Sequence, residues 1–441
     1  QYHDMDNAIR LFSTITNKSS YICTAMFKGL KNNNMPEKVF DLLDQMTFKP
    51  DNYTLPILFN VCAQVANNRA MKIGRKLLHT MPNDYRNNNI VLNSAIDMLM
   101  KFGDAQSAER IFDSIKTKDI ITYSAMIKGY VGNEMSEKAL DLFEKIDLKL
   151  DDVIYTIVFN TCSKLANDRA MKIGRKLLHN MPNDYRNNNF VLNSAIDMLM
   201  KFGDVQSAVR FFDSMKKKDI ITYNAMIKGY VGNEMSEKAL DLFEKINLKL
   251  DDVTYIIVFN ACTKLANNRA MKIGKKLLND MPNNYRNNNF VLNSVIDMLM
   301  KFGDAQSAER FFDSIKKKDI ITYNAMIKGY VGNEMSEKAL DLFEKIDLKF
   351  DDVTYISVFN ACTKLANDRA IKIGRNLLHD MPNGNRNNNI VLNSAIDMLM
   401  KFGDLQSAER IFDSIKKKDI IIYSAMIKGN IYQVKKSELY M

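Results

Sequence analysis

The sequence predicts an all-α fold, an α-solenoid superhelix of stacked antiparallel helix pairs. Three observations predict it. The stretch from Ile220 to Asp251, IITYNAMIKGYVGNEMSEKALDLFEKINLKLD, recurs at Ile120 and Ile320 and more loosely at Ser20, with a spacing of 100 residues. A fixed period marks a repeat array, whose units bury their apolar faces on their neighbours. Apolar residues also return at helical spacing: Tyr223, Met226, Ile227 and Tyr230 stand at i, i+3, i+4 and i+7, one face of a helix. Finally, no stretch shows the alternation of a strand.

Each period divides into units of 32, 37 and 31 residues, beginning in the third copy at Ile220, Asp252 and Asn289. Residues 1–19 form the second half of a 31-residue unit. Four complete triplets follow at 20–119, 120–219, 220–319 and 320–419. Residues 420–441 open another 32-residue unit, which departs from the pattern after Gly429.

Within the 32-residue unit the stripe at Tyr223 marks the first helix. Ala239, Leu242, Phe243 and Ile246 mark the second, with Ser236 expected as its cap. In the 37-residue unit Pro182 is expected to follow the second helix, and the run from Asn187 to Asn189 reads as polar linker. In the 31-residue unit Leu192, Ala195, Ile196 and Leu199 give the first stripe. Ala208, Phe211, Phe212 and Met215 give the second, with Gly203 as the turn and Asp204 as the cap.

Composition narrows the function. At 441 residues the chain exceeds one ordinary core, and a hydrophobic fraction of 46% argues against disorder. No run of about 18 apolar residues suggests a membrane span. A formal charge of +10 fits a polyanionic partner such as nucleic acid, or simply a basic, soluble surface. Cys62, Cys162, Cys262 and Cys362 occupy one equivalent position, so they fall in separate turns of the stack and read as buried, reduced thiols. The pattern HxE…PCxxC of zinc deaminases is missing, and so are a phosphate-binding glycine loop and a nucleophile elbow. No catalysis, cofactor, metal or small-molecule substrate is expected. QYHDMDNAIRLF at the start aligns with KFGDAQSAERIF at Lys101. The chain is therefore expected to be a piece of a longer protein, with any targeting segment outside it.

The words IITYNAMIKGY, EKALDLFEKI, NSAIDMLMKFGD and RFFDSMKKKD resemble the consensus of the pentatricopeptide repeat family. The 32/37/31 alternation is similar to its triplet subclass, whose units are called P, L and S. The resemblance covers nearly the whole chain, although the P units are about three residues shorter than usual in the terminal loop. It implies a right-handed superhelix that binds single-stranded RNA, one base per P or S unit. It also implies an organellar setting, mitochondrial by first expectation, and a role in RNA processing, editing or stability with a protein effector acting in trans. A protein-binding scaffold on the same superhelix is the alternative.

In this family the fifth and last residues of a unit read the base. Carried over, the readers are Thr24 with Asp51, Asn93 with Asp119, Ser124 with Asp151, and Asn193 with Asp219. Asn224 with Asp251, Asn293 with Asp319, Asn324 with Asp351, and Asn393 with Asp419 complete the set. Aspartate only accepts hydrogen bonds, which favours the ring N–H of uracil or guanine. The amide of asparagine suits a pyrimidine, and the smaller Ser or Thr leaves room for a purine. The other reading of these residues is helix capping. Residues 121–150 and 221–250 differ only at 124 versus 224 and 147 versus 247, so one of two changes in a near-copy falls on a proposed reader. The same slot of the L units holds Pro56, Thr156, Ile256 and Ile356, and these units are expected to read poorly.

The target expected in order is 5′-GNUGNUUNUUNU-3′. The second residues Tyr21, Ile90, Ile121, Phe190, Ile221, Phe290, Ile321 and Ile390 are expected either to wedge between bases, as in the family, or to pack in the core. Lys101, Lys201, Lys301 and Lys401 are expected to meet phosphates or simply to be solvated.

Overall fold

The computed structural model describes the backbone of residues 2–43 and 49–438, and the side chains of 5–43 and 49–430. The departure from the repeat after Gly429 falls largely on side chains outside those described, and its last three residues lie outside the described backbone. Every element among the described residues is helical. The chain forms two compact units, residues 1–218 and 219–441, each built the same way.

In the second unit the first helices of successive repeats are Ile220–Gly232, Asp252–Leu265, Asn289–Lys301, Ile320–Gly332, Asp352–Leu365, Asn389–Phe402 and Ile420–Glu438. Each packs on the next, making one row. The second helices, such as Ser236–Phe243, Asn268–Asn279 and Ala305–Ser314, pack back on their partners. The first unit repeats this from Ser20–Asn32 to Asn189–Lys201.

A first helix has neighbours on both flanks, so it buries more than a stripe. Asn289–Lys301 buries Val291, Leu292, Val295, Ile296, Met298, Leu299 and Met300. Close approach requires a residue without a side chain: a methyl at Gly329 would lie 2.7 Å from Met300 Cβ. Gly329→Ala is expected to lower stability by about 1–3 kcal/mol, the cost of overpacking, read as a lower urea midpoint at unchanged slope.

Two local expectations need correction. Ser236 is not the cap of Ser236–Phe243. Met235 holds that position without a side-chain bond, after Glu234 turns the backbone left-handed at φ 60°, and Ser236 is buried as the first helical residue. That helix also ends at Phe243, three residues short of Ile246, and buries Ala239 and Leu240. Nor are the asparagines linker. Asn187 ends a short 3₁₀ turn, Asn188 caps Asn189–Lys201 by accepting from the N–H of Phe190 and Val191, and Asn189 begins that helix. Gly203 (φ 75°) and Asp204, which accepts from Ser207 N–H, form the turn and cap expected of them. The repeated cysteines are buried and unbridged, and burial pushes the thiols of Cys62, Cys162, Cys262 and Cys362 up to about 12.

Successive second helices are also tied at the surface. Arg269 reaches Glu237, Asp241 and Glu244 at 2.6, 2.7 and 2.5 Å, and Arg169 and Arg369 repeat the arrangement. Carboxylates on that side are thereby held by arginines.

Candidate nucleic-acid interface

Within each compact unit, a slot joins the first turn of one helix to the residue that caps the next repeat. Asp119, Asp151, Asp219, Asp251, Asp319 and Asp351 all cap the following helix by accepting from a backbone N–H three residues on. Asp51 accepts from Thr54 N–H at 2.8 Å, and Asp419 from Ile422 N–H at 3.0 Å. Capping is therefore real at the six slots from Asp119 to Asp351, where it uses one carboxylate oxygen, Oδ1, whereas Tyr53 holds the cap position of Thr54–Val65 and Asp51 bonds only the first N–H of that helix.

The fifth residues are brought to these caps unequally. Asn224 donates to Asp251 at 3.0 Å, and Asn324 to Asp351 at 2.8 Å. Thr24 meets the hydroxyl of Thr54 at 2.7 Å, which in turn donates to Asp51 at 2.8 Å. Asn93 is among the groups that hydrogen-bond Asp119. Ser124 instead donates to the carbonyl of Ile120, within its own helix, at 2.8 Å. Asn193 lies in the first compact unit and Asp219 in the second, so they are placed separately. The Oδ1 atoms of Asn93, Asn193, Asn293 and Asn393 are buried without a hydrogen-bond partner.

The electrostatics of the caps follow from these bonds. Burial pushes the Asp251 carboxyl up, but the hydroxyl and N–H of Thr254 and the amide of Asn224 outweigh it and hold it below the usual value. Burial likewise raises Asp119 and Asp51. Thr122, Asn89 and Asn93 outweigh it at Asp119, and Ser20, Thr54 and Tyr53 at Asp51. A carboxyl depressed in the folded state stabilises fully above its unfolded value of about 4 and loses that contribution as pH falls through the folded one. Urea midpoints are therefore expected to stay level from neutral pH to about 4.5 and to drop below about 4. Asp251→Asn, which keeps a capping side chain, should show a smaller acid drop.

The second residues stand at the surface. Tyr21, Ile90, Ile121, Phe190, Ile221, Phe290, Ile321 and Ile390 are all exposed, from 52% at Ile321 to 82% at Tyr21, so they are not core. Four equivalent residues escaped the sequence reading: Tyr53, Val153, Val253 and Val353, the second residues of the L units, are exposed too. Their signal was the slot itself.

The lysines cluster at the other end of the first helices. Lys101, Lys201 and Lys301 are exposed and Lys401 half-buried. Lys301 lies in a pocket of 660 Å³ with Lys264, Lys328 and Asp297. Lys328 pairs with Asp297 at 3.4 Å, and Lys264 donates to the carbonyl of Val231 at 3.0 Å. A copy of 470 Å³ holds Lys364, Lys401, Lys428 and Asp397. Burial pushes the carboxyl of Asp397 up, with Lys428 opposing. Lys264 and Lys328 were not singled out in the sequence, because only the fold puts three units' helix ends together. Among the described residues no cluster of three His, Cys, Asp or Glu could hold a metal, and no helix is long and apolar enough to cross a membrane.

Comparison with known proteins fits this geometry. The chain is 28% identical over 409 residues to a mitochondrial pentatricopeptide repeat-containing protein of Arabidopsis thaliana, covering 89% of this chain and 57% of the relative. A chloroplastic one from the same plant is 25% identical over 442 residues, covering 97% and 54%. The chain thus spans little more than half the length of these relatives. Among solved structures, the crystal structure of the pentatricopeptide repeat protein PPR10 from maize superposes with a TM-score of 0.55 at 15% identity, covering 97% of this chain and 68% of that one. A family model described as PPR repeat matches residues 21–49, 90–120, 121–149, 190–220, 290–320 and 390–420, and a model described as PPR repeat family matches 218–264 and 318–364. Together these matches cover more than half of the sequence, and the chain belongs to the pentatricopeptide repeat family.

Proposed function

We propose that this chain binds single-stranded RNA in sequence, one base per P or S unit of a P–L–S triplet array with the boundaries given above. The observation that carries the reading is the recurrent slot, an amide beside a capping carboxylate, as Asn93 is beside Asp119 and Asn224 beside Asp251, in the turn of helix where the second residues Ile90 and Ile221 stand exposed. An amide, a carboxylate and an exposed apolar side chain suit the edge and the face of one base. The lysine pockets, at the opposite ends of the same helices, suit the phosphates. From Asn293 to Lys301 is eight residues, about 12 Å along the axis.

The organelle names of the relatives support a mitochondrial or other organellar setting. The RNA so marked would be processed, edited or stabilised by a protein effector acting in trans, since the residues here favour binding over catalysis. The test is an equilibrium binding titration. RNA of sequence 5′-GNUGNUUNUUNU-3′ is expected to bind at least about tenfold tighter than the same RNA with C for U and A for G. Equal affinities overturn the base assignment. Bound material that is protein and survives RNase favours the scaffold reading instead.

A further inference from the structure

The same Asn–Asp pair is held in two different ways. In the two P units that carry asparagine there, the amide is engaged on both sides within the protein. Asn224 donates to Asp251 at 3.0 Å, and its Oδ1 accepts from the hydroxyl of Thr254 at 2.8 Å. Asn324 repeats this with Asp351 and Thr354, at 2.8 Å each. In the S units the corresponding oxygen has nothing. Asn93, Asn193 and Asn293 are at least nine-tenths buried, at 8%, 8% and 9% exposure, and the Oδ1 of each has no hydrogen-bond partner. At the slots of Asn93 and Asn293 threonine is present as well, but the hydroxyls of Thr122 and Thr322 go to the capping aspartates, each at 2.8 Å.

A hydroxyl carries one proton. Thr254 Oγ1 also lies 2.6 Å from Asp251 Oδ1, yet that carboxylate already receives the N–H of Thr254 and the amide of Asn224. Asn224 Oδ1 has no other donor among its hydrogen bonds. Placing the proton on the asparagine leaves no acceptor unsatisfied, and a base arriving at this slot must displace a bond already made. At an S slot the ring N–H of uracil would instead satisfy an acceptor that is costly to leave bare. Cytosine offers a lone pair there and would not.

Resting on the base reading above, we infer that the two kinds of slot are unequal. The S units carry most of the discrimination for uracil. Thr254 and Thr354 are positioning residues that occupy Asn224 and Asn324 and so mute the P slots.

The test uses the full chain and the twelve-base RNA. Replacing U by C opposite Asn293, the ninth base, is expected to weaken binding about tenfold or more, and opposite Asn224, the seventh base, no more than about threefold. Thr254→Val should raise the loss at the seventh base toward that at the ninth, and Thr254→Ser should restore the small value. Thr322→Val removes only a threonine–aspartate bond and should not sharpen either position. Equal losses at the two bases in the unaltered protein overturn the inference while leaving base reading intact. A Thr254→Val protein with an unchanged melting curve and an unchanged loss at the seventh base overturns it as well. Absence of discrimination at every base removes the reading itself, and this inference with it.

Discussion

Phe259→Ala is expected to cost about 3–5 kcal/mol of stability, whereas Phe290→Ala should cost less than about 0.5 kcal/mol. The two phenylalanines belong to adjacent repeats and differ in where the helix points them. Phe259 is fully buried in Asp252–Leu265, beside the ring of Tyr255 at 6.2 Å, and truncation leaves a cavity that rigid neighbouring helices fill poorly. Phe290 is 67% exposed at the second position of its unit. Because a solenoid is stabilised chiefly by nearest-neighbour contacts, the Phe259 loss should appear as early opening of the repeats beside it. Urea unfolding gives the magnitude, and amide exchange gives the place. RNA binding should reverse the order. On the proposed reading Phe290 stacks on a base, a contact worth about 1–3 kcal/mol, so Phe290→Ala should weaken binding while the fold stays intact. If Phe290→Ala leaves RNA affinity unchanged, the exposed second residues do not stack on bases.

Much of this contrast was legible in the sequence, and the rest was not for physical reasons. Period and helical spacing gave the repeats and the packed face, since Met226, Ile227 and Tyr230 are buried as their spacing requires. The second residues were ambiguous because apolar character alone does not separate core from a wedge. Register separates them: Ile221 and Lys228 stand at i and i+7, on one exposed side, off the buried stripe. The caps at Asp219 and Asp251 were readable as residue types, but not the sharing of Asp251 between capping and Asn224, which takes a second helix to bring about. Ser236 was misread because the left-handed residue before the helix is Glu234, a residue type that seldom signals such a turn. Asn34 holds the same backbone position at φ 57° and was the available clue. The bare oxygens of the S-unit asparagines could not be foreseen, since spacing says nothing of which hydroxyl points where.

Replacing Lys264, Lys301 and Lys328 together by glutamine is expected to weaken RNA binding and to flatten its salt dependence. The three ammonium groups come from three successive first helices and share one pocket with a single carboxylate, Asp297. Only Lys328 is paired to it, at 3.4 Å, and that pair is too exposed and too long to neutralise the site. Glutamine removes the charge, keeps most of the stem's packing, and spares the base-facing turn some eight residues away. Each lost phosphate contact should lower the slope of log affinity against log salt by about 0.7, so three contacts lower it by about 2. Affinity for every sequence should fall together, by roughly 10–1,000-fold at low salt, while the preference for U over C persists. That pattern separates backbone contact from base reading within one molecule. A variant whose salt slope equals that of the unaltered protein would show that these lysines are ordinary solvated charges, and the path of the RNA backbone would have to be sought elsewhere on the row of first helices.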